Sequence, residues 1–133
     1  MKNLGRLLVV VQFTTLFLLL AAGTALAQDV VKVAPESHQV LLENDQVRVL
    51  KVHIKVGEKV HMHSHPASVV YFLSDGKLKI SFPDGKQVVR DVKAGTSAWN
   101  DAATHAVENV GATEFLEVQI ELKDAAKKPA TTM

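Results

Sequence analysis

Gly57-Glu58-Lys59-Val60-His61-Met62-His63-Ser64-His65-Pro66-Ala67-Ser68-Val69-Val70-Tyr71-Phe72-Leu73-Ser74-Asp75-Gly76 is the stretch on which the reading of this chain turns. Gly57 opens it, Pro66 divides it and Ser74-Asp75-Gly76 closes it, so two short extended segments, 59–65 and 68–73, lie between chain-breaking signals. Three of the six histidines fall at positions 61, 63 and 65. In a strand, side chains at i and i+2 leave the same face. His63 and His65 therefore present two imidazoles toward one point. By the same alternation His61 shares their face, about 6–7 Å earlier along the strand, where it lines or rims a pocket.

The flanking sequence continues the pattern. Residues 39–43, 47–56, 77–82, 86–92, 96–99, 105–110 and 113–122 read as further strands, rich in β-branched residues and separated by Gly57, Pro83-Asp84-Gly85, Ala94-Gly95 and similar turn signals. No helical period is convincing after residue 27. Short strands at regular spacing predict an all-β, antiparallel sandwich or barrel forming one domain over 28–123. No internal repeat is present.

The two ends read differently. Lys2 and Arg6 precede the apolar run 7–22, and Ala25-Leu26-Ala27 supplies a small-x-small exit. Sixteen apolar-dominated positions fall short of the ~20 that span hydrocarbon, so 1–27 is expected to be a cleaved signal peptide rather than an anchor. The expected location is outside the inner membrane, in a bacterial periplasm. Residues 124–133 are small, polar and Pro-containing, and a disordered tail is expected there.

Without Lys2 and Arg6 the formal charge of +1 becomes −1, which provides no basic field for nucleic acid or an anionic membrane. The chain has no cysteine. Disulfides and lipid attachment through cysteine are therefore excluded, and stability must come from packing and from any bound metal.

Two imidazoles make a weak metal site, so a third ligand has to arrive from elsewhere in the chain. His105 is the candidate, placed where a later strand begins. His38 and His53 have no clustered partner and read as ordinary solvated residues.

The stretch resembles the first motif of the cupin family: Gly, five residues, His-x-His, three or four residues, Glu, six residues, Gly. Gly57, His63-Ser64-His65, Val69 and Gly76 fit that spacing, with Val69 at the Glu position. The family's second motif ends in Gly-x-x-His-x-x-x-Asn; His105 and Asn109 match its ending, while Gly95 is one residue out of place. The resemblance spans about 40–122.

It implies a jelly-roll β-barrel and a divalent transition metal (Fe, Zn, Mn, Ni or Cu) on His63, His65 and His105. The family's Glu ligand is missing, because Val69 cannot coordinate. Three neutral imidazoles leave a divalent charge uncompensated and coordination positions open. Alternation from Val69 places Tyr71 and Leu73 inward. Trp99 falls at a mouth-side loop, walling the pocket or capping the core. Glu117, Gln119 and Glu121 are expected on the solvent face of the last strand; one of them turned inward would restore an acid.

The functions that fit are a metal-dependent enzyme acting on a small molecule, a non-catalytic small-ligand or accessory cupin with a degenerate site, and an exported structural protein. A homodimer is expected, paired through the segment before Val47.

Overall fold

The computed structural model describes residues 28–123; the expected signal peptide over 1–27 and the expected tail over 124–133 lie outside the described residues. Nine strands follow one short helix. They are β1 (His38–Glu43), β2 (Val47–Ile54), β3 (Lys59–His65), β4 (Ser68–Phe72), β5 (Gly76–Ser81), β6 (Gln87–Val92), β7 (Ser97–Asn100), β8 (Ala103–Asn109) and β9 (Phe115–Leu122). Every strand read from the sequence is present.

The helix α1 (Val30–Val33) was not anticipated. It is a single turn, too short to show a period. The Asp29 carboxylate caps it by accepting the Val31 N–H at 2.9 Å. Val30 is fully buried. The Gln28 carbonyl accepts the Ser64 N–H at 2.9 Å, which straps this segment across β3.

The strands pair antiparallel in two sheets, β1-β2-β9-β4-β7 and β3-β8-β5-β6. This is the jelly-roll arrangement. Leu50, Val52, Ile54, Val70, Phe72 and Phe115 of the first sheet meet Val60, Leu78 and Val92 of the second in one core.

Pairing register overturns two expectations about which faces point inward. On β9, Ile54 lies opposite Phe115, Val52 opposite Glu117, Leu50 opposite Gln119 and Arg48 opposite Glu121. The buried alternation of β2 therefore turns Glu117, Gln119 and Glu121 inward, and leaves Leu116, Val118 and Ile120 on the outer face. On β4 the buried set is Ser68, Val70 and Phe72, so Val69 and Tyr71 face outward, and Leu73 is exposed as well. The hydrophobicity rule fails on β9 because its inward side chains meet a mostly apolar cavity that also holds the polar groups His63, His65, Arg90 and Gln119, while Leu116, Val118 and Ile120 lie on the outer sheet surface.

Two motif positions have structural rather than chemical roles. Asn109 is fully buried, donates to the Ile54 and Thr113 carbonyls at 3.0 and 2.8 Å, and accepts the Gly111 N–H at 3.0 Å. It locks the turn between β8 and β9 to the end of β2. Gly76 is held by contact: a Cβ there would stand 2.6 Å from the Phe115 ring and 3.2 Å from Val92. Overpacking of this kind costs about 1–3 kcal/mol. Gly76→Ala is therefore expected to lower the urea midpoint by that amount of stability without changing the slope of the transition.

Candidate metal centre

The pairing of β3 with β8 brings the histidines together. His63 and His105 are direct cross-strand partners, and His65 follows two residues along β3. Ring centroids lie 4.7 Å apart for His63 and His65, 4.9 Å for His63 and His105, and 5.5 Å for His65 and His105. One ring nitrogen from each falls within 4.8 Å of the others. The three residues singled out in the sequence converge.

His61 does not join them. Between Val60 and His63 the register slips, so that β3 carries one extra residue relative to β8. That bulge breaks the alternation and turns His61 outward, where it is exposed. Its backbone is still used: the His61 carbonyl accepts Nδ1–H of His63 at 2.6 Å. This hydrogen bond fixes the His63 tautomer and leaves Nε2 for the cavity side.

The fit to a metal rests on that atom. His63 is 1% exposed, and its Nε2 is buried without any hydrogen-bond partner. Buried polar atoms normally find partners. An unprotonated imidazole nitrogen beside two further imidazoles is the donor set that divalent transition metals take.

His65 is held by a group the sequence reading had sent to solvent. Its Nδ1 lies 2.6 Å from Oε1 of Glu121, a carboxylate only 1% exposed. Glu121 Oε2 in turn accepts from Arg48 at 2.6 Å, and Arg48 Nη1 donates to Asp29 at 2.7 Å. Burial opposes ionisation of Glu121, but the hydrogen bonds from His65 and Arg48 outweigh it and hold its carboxyl below the ordinary range. The acid missing at Val69 is thus supplied one strand over, where Ser68 and Glu121 are cross-strand partners. It is the hydrogen-bonding partner of a candidate ligand, His65. The sequence signal was the Glu117-Gln119-Glu121 alternation, assigned to the wrong face.

His38, expected to be solvated, is 4% exposed, with its ring 5.9 Å from that of His63 and 6.2 Å from that of His65. Its Nδ1 pairs with Ser37 Oγ at 3.0 Å. Only the pairing of β1 with β2 places it there, opposite Val52. His53 lies on the outer side as expected, bonded to Glu114 at 2.9 Å.

Burial pushes the imidazoles down. His63 and His38 fall to about 4, and His105 to about 3, with the neighbouring histidines adding to the effect. The rings of these three are neutral at physiological pH, the form in which His63 and His105 can ligate.

The histidines open into a cavity of about 300 Å³ between the sheets. Trp99, Asn100 and Asp101 line it where β7 ends, and the Trp99 indole donates to Asp101 at 2.8 Å. Trp99 is 55% exposed, so it walls the pocket and does not cap the core.

Glu117 also lines the cavity. It is partly buried, and desolvation lifts its carboxyl to about 7, against an opposing attraction from Arg90. A folded-state value above the ordinary 4.5 means that unfolding releases a proton between those two values, so stability falls as pH rises from 4.5 through 7. Glu117→Gln is therefore expected to match the wild type at pH 4 and to exceed its stability at pH 8 by roughly 3 kcal/mol. Denaturant titrations at the two pH values measure this; equal stability at pH 8 contradicts it.

No sequence-family model matches the chain, and no curated protein matches it. Solved structures do. The chain is similar to a cupin domain from Bordetella pertussis Tohama I, with 30% identity over 65% of this chain and 91% of that one, at a TM-score of 0.60. A protein with a double-stranded β-helix domain from Klebsiella pneumoniae matches at 25% identity over 67% and 77% of the two chains, TM-score 0.53. An RmlC-like double-stranded β-helix protein from Methanocaldococcus jannaschii shares the fold at 11% identity over 65% and 78%, TM-score 0.53.

Proposed function

The chain belongs to the cupin family, and from that premise we propose that it is an exported protein holding one divalent transition metal ion (Fe, Zn, Mn, Ni or Cu) on His63, His65 and His105, for work on a small molecule inside the barrel. The observation that carries this reading is the buried, unpartnered Nε2 of His63 beside two further imidazoles. A metal bound there would supply Lewis acidity next to open coordination positions.

The chain's own residues do the rest. The His61 carbonyl and Glu121 orient His63 and His65, Arg48 balances the Glu121 charge, and the apolar walls formed by Val52, Leu78 and Phe115 exclude water around a bound organic molecule. Elemental analysis of protein prepared from the periplasm is expected to give near one metal per chain. Less than about a tenth of that, after incubation with each of the five metals, argues against the site.

Export is supported by the apolar leader 7–22 and the Ala25-Leu26-Ala27 exit. We propose a homodimer formed at the outer face of the five-stranded sheet. Its edge strand β1 carries Leu41 and Leu42, both at least half exposed, beside the outward Val118 and Ile120. An unpaired apolar edge favours pairing with another copy. Light scattering that finds a monomer at micromolar concentration excludes it.

A further inference from the structure

Two charged side chains face the cavity apart from the histidines and their mouth-side neighbour Asp101: Arg90 on β6 and Glu117 on β9. In the sheet order β3-β8-β5-β6, Arg90 stands two strands from the strand of His105, roughly 10 Å across the sheet. It lines the cavity apart from the triad, with its guanidinium turned to Asn100 near the mouth.

Arg90 is positioned but not satisfied. Its guanidinium carbon lies 5.9 Å over the Phe72 ring, and Nη1 donates to Asn100 Oδ1 at 3.3 Å. No carboxylate lies within ion-pairing distance of it among the described residues. A guanidinium has five N–H donors in a fork that matches a carboxylate, and the single bond to Asn100 leaves most of them free for a ligand in the cavity. The Glu117 side chain makes no hydrogen bond to any described residue and stays beyond ion-pairing distance, although its carboxylate form is attracted to Arg90. Were Arg90 only a counterion for Glu117, the two would close on each other. Phe72 and Asn100 instead hold the fork in place, leaving its face open to the cavity.

We propose that Arg90 anchors a carboxylate subsite, and that the cavity takes a small organic monocarboxylate whose other end reaches toward the three histidines. This deepens the reading of the cavity as a small-molecule site and rests on that reading. Several features favour a carboxylate over a phosphate. The subsite has a single guanidinium, enough to balance one negative charge but not two, and its walls are largely apolar. Burial keeps Glu117 protonated below neutral pH, and in that form it is a second donor to the same carboxylate.

The test uses metal-free protein at pH 6 with benzoate as the probe and benzamide as its uncharged counterpart. Calorimetry is expected to show benzoate binding at least tenfold more tightly than benzamide, and the Arg90 Nε–H resonance is expected to move on saturation with benzoate. Arg90→Gln is expected to weaken benzoate at least tenfold; where that variant fails to fold, the resonance shift in the wild type and Arg90→Lys carry the test. Absent benzoate binding, equal affinity for benzamide, an unmoved Arg90 resonance or undiminished binding by Arg90→Gln each overturns the subsite. Because no metal is present, failure of the metal reading leaves this result unchanged, and metal content measured separately tells the two apart.

Discussion

Replacing His63 and His105 together by alanine is expected to abolish stoichiometric metal binding, weakening affinity at least ~1,000-fold, or about 4 kcal/mol. The double variant leaves only His65, and one imidazole does not retain a divalent ion against water. A chelator competition measures the loss directly. Stability separates ligation from folding. A metal at 1,000 times its dissociation constant adds about 4 kcal/mol to the wild type, and the double variant is expected to gain nothing. The metal-free proteins differ in their acid response as well. Folded-state values of about 4 for His63 and about 3 for His105 lie below the ordinary 6.5. Unfolding therefore takes up protons as pH falls below 6.5, and metal-free wild type is expected to lose several kcal/mol between pH 6.5 and 4. His38 contributes in the same sense. Of the histidine contribution the double variant keeps only the His38 share, and the opposing contribution of Glu117 is the same in both proteins. An identical acid profile in the two proteins contradicts the burial argument.

The second large effect is at Glu121. Removing its carboxylate leaves Arg48 with Asp29 alone and leaves His65 Nδ1 without its partner. Breaking one side of a buried ion pair costs about 3–5 kcal/mol, and Glu121→Ala is expected to fall in that range by urea titration. Metal affinity is expected to drop a further 10–100-fold, the usual consequence of losing a ligand's hydrogen-bonding partner. Glu121→Gln separates the two roles. It keeps an acceptor for Arg48 but loses the charge, so it is expected to recover part of the stability while metal affinity stays reduced. Metal affinity in Glu121→Gln equal to that of the wild type would show that the carboxylate has no part in holding His65 for ligation.

How much of this was legible in the residues follows from which signals are local. Turn glycines and Pro66 set the strand boundaries, and the His63-Ser64-His65 spacing picked out two candidate ligands, because both depend on neighbours within a few positions. His105 was reached through the motif ending at Asn109. What failed depended on register between distant strands. A one-residue bulge, invisible in the alternation of β3, turned His61 outward. The facing of β9 was set by its pairing to β2 and β4, which sent Glu121 inward against its hydrophilicity and Tyr71 outward against its aromaticity. His38 became a neighbour of the triad only through the β1–β2 hairpin. The polar groups gathered in the cavity invert the apolar-inside rule along β9, while β2, β4 and β5 keep apolar side chains turned toward it.

The central claim is that three imidazoles share one ion, two of them through Nε2. Crystals grown with zinc and measured at its absorption edge test it most directly. A single anomalous peak is expected about 2.1 Å from Nε2 of His63, Nε2 of His65 and one ring nitrogen of His105. A peak on Nδ1 of His63, a peak more than about 3 Å from any of the three rings, or no peak within the barrel would contradict it.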